Sequence, residues 1–108
     1  MNQRIDLGHG HALLRYLAWR PDRALNPQYM DLPDIERYSA IVSHRRLNGS
    51  GEEECEGVIT FASDVQRRLE PGVPHWTVDS WEPLTLSPSL LCHCGDHGYI
   101  RNGQWVPA

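Results

Sequence analysis

GYIRNGQWV, residues 98–106, decides how this chain is read. Asn102-Gly103 sits between two short apolar runs, and that pair is what a two-residue type I′ hairpin turn favours. The stretch is therefore expected to be a β-hairpin that presents Tyr99 and Trp105 near one another. Further upstream, LTLS (84–87) is short and extended before Pro88. HWTVDSW (75–81) alternates, with Trp76, Val78 and Ser80 on one face and Thr77, Asp79 and Trp81 on the other.

The same logic extends towards the N-terminus. CEGVITFA (55–62) is rich in residues that suit a pleated surface, and SAIVSHR (39–45) is strand-like. The polar, glycine-rich LNGSGEEE (47–54) reads as the long turn joining them into a hairpin. HALLRYLAW (11–19) is compatible with strand or helix, and Pro21 soon after it favours strand. RPDRALNPQYMDLPDIERY (20–38) carries three prolines and reads as an ordered loop, with one helical turn at 33–37 because Pro33 suits a first-turn position. SDVQRRL (63–69) fits a short helix with Ser63 and Gln66 at capping-box spacing, and EPGVP (70–74) ends it. The expected fold is mainly β (small α+β): antiparallel hairpins forming a compact sheet or partial barrel, with one or two short helices, as a single domain over 1–108.

Composition narrows the function classes. A chain of 108 residues buries roughly two thirds of its unfolded surface, and eight prolines and nine glycines leave it short of core residues. A metal or a partner would help to hold such a fold. A net charge of −4 offers no basic field for nucleic acid. No apolar run approaches the roughly 20 residues that span a bilayer. The opening MNQRIDLGHGH lacks the basic-then-apolar order of a secretion signal, so a cytoplasmic location is expected. There the three cysteines would be thiols or metal ligands rather than disulfides. All ten basic residues are arginine. A GC-rich genome explains that. A chain without lysine also offers no side-chain amine for isopeptide tagging.

LSPSLLCHCGDHGYIRNGQW (86–105) carries the chemistry. Cys92 and Cys94 lie two apart, and thiolates and imidazoles are the ligands zinc prefers, four to a structural site. His44 and Cys55 can face each other across the 39–62 hairpin. A set of His44, Cys55, Cys92 and Cys94 would clamp two hairpins together and leave His97 free. The alternative is that Cys55 and Cys92 are small core residues. His9, His11, His75 and His93 read as ordinary surface or turn histidines. A second constellation is Ser89 with His97. Pro88 stiffens the chain before the serine, and a serine attacks a carbonyl only when a base takes its proton. A strand, a turn at CGD and a returning strand would bring the two together. Gly95 and Gly98 are candidates for backbone N–H groups that hold an oxyanion. Asp96, Asp79 or Glu82 could orient the imidazole.

PLTLSPSLLCHCGDHGYIRNGQW resembles the signature of a small bacterial and phage family catalogued as domain of unknown function 6527. That family shares a strand ending in Pro-Ser, then a Cys, a His close behind it and an I-x-x-G-x-W/V ending. HWTVDSW also fits, so the likeness covers the last third of the chain and is loose over 39–61. Some bacterial relatives accompany ubiquitin-like proteins and their E1- and E2-like enzymes and look like serine peptidases that process them. The resemblance implies Ser89 as nucleophile and His97 as base, with Cys94 matching the cysteine ahead of the histidine. Where many relatives have a cysteine-rich turn between two strands, this chain has His44 and Cys55. Lone copies look typical of phages infecting actinobacteria, whose setting would be the host cytoplasm.

Three functions follow as expectations. The first is a small serine peptidase or isopeptidase acting on the tail of a ubiquitin-like protein, with structural zinc. The second is a zinc-stabilised binding module without chemistry, a phage accessory protein engaging a host factor, for which four tryptophans and four tyrosines would form the surface. The third is a metal-dependent hydrolase using His97 and the thiols around an open zinc position.

Overall fold

The computed structural model describes residues 4–48, 51–92 and 94–108, and side chains in all of these but 46–48 and 51–53. It is mainly β and entirely antiparallel within its sheets. β1 (Ile5–Gly8), β2 (His11–Trp19), β3 (Ile35–Asn48) and β4 (Gly51–Thr60) form one sheet in that order. β5 (Thr77–Trp81) pairs with β6 (Leu84–Ser87), and β7 (Leu90–Leu91), β8 (His97–Arg101) and β9 (Gln104–Pro107) form a third sheet. The strands do not close into a barrel. Among the described residues, no helix is long and apolar enough to cross a membrane.

The 98–106 hairpin forms as its residues dictate. Asn102 and Gly103 take φ values of 53° and 74°, the positive pair that a type I′ turn requires. The register corrects one expectation. Ile100 pairs with Trp105 and faces the core, whereas Tyr99 pairs with Val106 on the outer face. Tyr99 and Trp105 therefore point to opposite sides, because successive residues of a strand alternate. Gly98 lies under Trp105: a Cβ there would fall 2.5 and 2.6 Å from two carbons of the indole and 2.7 Å from Val106 O. Gly98→Ala should therefore lower the thermal midpoint by on the order of 10 °C, since overpacking costs about 1–3 kcal/mol and each kcal/mol is worth roughly 4–8 °C in a domain of this size. A melt unchanged from the parent would refute the close packing.

Two further expectations are corrected. The polar segment 47–54 is mostly ladder: β3 and β4 stay in register from Ser39↔Thr60 to Asn48↔Gly51. That register sets Arg45 opposite Glu54, and opposite charges across a ladder favour pairing. The tip of that expected turn, 49–50, lies outside the described residues. The helical turn expected at 33–37 is a strand start, with Ile35 paired to Trp19. The 3₁₀ turn of this loop instead spans Pro27–Tyr29, where Pro27 occupies the first-turn position.

The helix α1 (Asp64–Leu69) forms as expected, with Ser63 Oγ accepting from the Gln66 N–H at 2.9 Å. Gln66 does not complete the capping box. Its Nε2 donates forward to Glu70 O instead. Leu7, Leu13, Tyr16, Ile59, Phe61, Leu84, Leu86, Leu90, Ile100 and Trp105 make one core to which all three sheets contribute. A parallel bridge from Phe61 to Trp76 and the Trp76 indole N–H donating to Ser89 O at 3.2 Å tie the sheets together. That indole bond fixes the backbone at the serine.

Candidate functional site

Two constellations lie on opposite faces of the β7–β8 hairpin. On the inner face, His44 on β3 and Cys55 on β4 are register partners, so their side chains share one face of the sheet. The turn between β7 and β8 brings Cys92 and Cys94 against them. One ligand atom from each of His44, Cys55, Cys92 and Cys94 lies within 4.8 Å of all the others. His44 Nε2 is 3.5 Å from Cys94 Sγ. A tetrahedral metal site with metal–sulfur bonds of about 2.3 Å has ligand separations of roughly 3.5–3.8 Å, so the cluster is at metal-binding distances. The His44 ring is set for the role. Its Nδ1–H donates to Arg45 O at 3.1 Å, which leaves the Nε2 lone pair aimed at the sulfurs.

The turn also activates one thiol. The backbone N–H of Asp96, above all, holds the Cys94 thiol down to about 7 from its ordinary value of 9.0. Burial is the next-largest effect and opposes it, while hydrogen bonds with the Cys92 and Cys55 thiols and the nearby His44 ring lower it further. The turn itself is closed by Cys92 N–H donating to Asp96 O at 2.8 Å and Gly95 N–H donating to Cys92 O at 2.9 Å.

The sequence reading missed one residue beside this site. His11, expected at the surface, is buried at 9 % exposure. Its Nδ1–H donates to His9 O at 2.7 Å, and its Nε2 is hydrogen-bonded to Asp96 Oδ2 at 2.6 Å. The ring stacks on Trp105 at 4.0 Å between centroids and on His44 at 5.1 Å. His11, at the start of β2, thus braces the turn that carries Cys92 and Cys94. The only signal for it in the sequence was its place at the start of an apolar run. His93 lies outside the described residues.

On the outer face, His97 Nε2 and Ser89 Oγ are 2.8 Å apart, within hydrogen-bond reach. Leu91 and His97 are cross-strand partners, so Ser89, Leu91 and His97 project from the same side. Asp96 does not orient this imidazole: it immediately precedes β8, and its carboxylate is held by His11 instead. Among the described residues, no carboxylate bonds to His97, Asp79 and Glu82 included. Of the two glycines considered for an oxyanion, Gly95 gives its N–H to the turn. Gly98 faces Leu90 in the ladder, two residues from the bonded Cys92–Asp96 pair, so the antiparallel alternation commits its N–H to Leu90. His97 is not part of the His/Cys₃ cluster.

Fold and site together define a small antiparallel β protein with a His/Cys₃ cluster on one side of a hairpin and an exposed serine–histidine pair on the other. No protein-family model, curated protein or solved structure matches the chain.

Proposed function

We propose that the protein is a small serine hydrolase acting on a peptide or isopeptide bond, with a structural zinc ion at His44, Cys55, Cys92 and Cys94. The observation that carries this reading is the 2.8 Å contact between Ser89 Oγ and His97 Nε2. Ser89 Oγ attacks the carbonyl carbon while His97 Nε2 takes its proton. The C–N bond then breaks, and His97 returns the proton to the leaving amine. A water activated by the same ring hydrolyses the ester. Zinc is the ion that three thiolates and one imidazole suit. It takes no part in these steps and fixes the turn that carries His97. The resemblance of the last third of the chain supports the tail of a ubiquitin-like protein as substrate.

A fluorophosphonate probe tests the nucleophile. It should modify Ser89 alone, read by mass spectrometry, and His97→Ala should slow that labelling by about 10²-fold or more. No labelling of folded, zinc-loaded protein across neutral and alkaline pH would overturn the hydrolase. The second reading, a zinc-stabilised binding module engaging another protein, would then stand. Its support is that no carboxylate among the described residues holds His97.

A further inference from the structure

Between β4 and β7 runs a cleft of about 190 Å³. Both flanking strands are edges of their sheets: β4 ends the four-stranded sheet and β7 ends the three-stranded one. Phe61 N–H donates to Tyr38 O. Alternation from that bond turns the N–H and C=O groups of Glu56 and Val58 away from β3 and into the cleft. The Cys92–Asp96 bond likewise turns those of Leu91 out of its ladder and into the cleft from the other side. The floor is apolar, made by Leu7, Ile100 and Trp105. The metal-binding cluster closes one end and Trp76 lies towards the other.

The cleft is open because of Gly57. Cys55, Gly57 and Ile59 share the inward face of β4, and the outer two are buried side chains. At Gly57 a Cβ would meet nothing within 4 Å. The gap at the centre of the strand is therefore room that an ordinary residue would fill. The four residues from Glu56 to Ile59 span about 13 Å, the reach of roughly four residues of a guest strand. The outer lip carries Val58 at 59 % exposure, Leu91 at 69 % and the exposed carboxylate of Glu56.

We propose that this cleft is a strand-binding slot for an extended polypeptide segment, with small apolar residues facing inward and basic residues outward beside Glu56. Strand addition suits two backbone edges facing one gap. An alternating guest matches an apolar floor and an acidic lip. The guest would run alongside β7 towards Ser89, on whose neighbouring strand edge it lies. The inference deepens the hydrolase reading by naming its substrate class, and rests on that reading only for the statement that the bound segment is cut.

The test uses zinc-loaded Ser89→Ala protein and the probe fluorescein-Arg-Val-Arg-Val-Gly-amide, followed by anisotropy. Saturable binding is expected, weakened at least about tenfold by N-methylation of alternate peptide amides, because pairing then fails. Gly57→Val should weaken it by a similar factor while keeping the thermal midpoint within a few degrees, since valine suits a strand. Glu56→Arg should weaken it severalfold. Equal binding by the Gly57→Val variant, equal binding of the N-methylated peptide, or occupation of the slot by a second copy that the peptide does not displace would each overturn the slot. Fluorophosphonate labelling of the parent reads the dyad separately. Binding without labelling sinks the hydrolase and keeps the slot, and labelling without binding does the reverse.

Discussion

Stripping zinc from this protein with a strong chelator should abolish its cooperative thermal transition. The proposed ligands come from β3, β4 and the turn before β8, so the ion would join the four-stranded sheet to the three-stranded one. Apparent binding free energies of structural zinc in small domains reach about 10–16 kcal/mol. Whole domains of this size are stable by only about 5–15 kcal/mol, so losing the ion outweighs everything else the fold could lose. Cys55→Ser should act like the chelator, because Cys55 is buried as well as one of the proposed ligands. The pH dependence has a fixed sign. The Cys94 thiol is held at about 7, below its ordinary 9.0, so its thiolate form is favoured by the fold. That favour is fully present above the unfolded value and is lost as pH falls through about 7. Protons then compete with the metal, and Cys94 alone should cost about tenfold in apparent affinity per pH unit below that point. Calorimetry of loaded and stripped protein, with competition by a metal indicator at several pH values, reads both effects. A stripped protein that melts within a few degrees of the loaded one would make the cluster a set of core thiols.

Ser89→Ala should lower kcat/KM on a cleavable tail substrate by about 10⁴-fold or more without changing the melt. Triads stripped of one member retain only the catalysis that binding and oxyanion contacts supply. Here the serine hydroxyl is on the outer face, away from the core, so its removal leaves packing alone. His97→Gln should cost about 10²–10⁴-fold for the same step, the usual range for a general base. Asp96→Asn separates this protein from a standard triad, in which the same exchange costs about 10⁴-fold in kcat. Because Asp96 bonds to His11 and not to His97, its replacement should lower the melting temperature and change kcat less than about tenfold. A 10⁴-fold loss of kcat in folded Asp96→Asn would show that the carboxylate swings to the imidazole during turnover. Equal rates for the Ser89→Ala variant and the parent would end the serine mechanism.

Some of this was legible in the residues alone. Asn102-Gly103 and the Ser63 cap act through dihedral preferences and hydrogen bonds spanning a few positions, so the hairpin and the helix followed from local chemistry. The His44–Cys55 pairing followed from hairpin register, and the closeness of Ser89 and His97 from a strand, a turn and a returning strand. The start of β3 was not legible. Pro33 suits a helix start as well as a loop end, and only the pairing of Ile35 with Trp19 selects the strand.

What lies beyond local chemistry was decided by tertiary packing. His11 and Asp96 stand 85 positions apart and His44 and Cys94 50 apart, and no local preference encodes such meetings. Asp96 looked available to His97 because they are neighbours in sequence, yet the buried His11 captured its carboxylate. The cleft over Gly57 exists only because two sheet edges come to rest beside one another. The sequence alone determined which donors, acceptors and strands the chain owns. The packed core determined which of them face each other, because burial of apolar surface from all three sheets at once is what fixes their relative orientation.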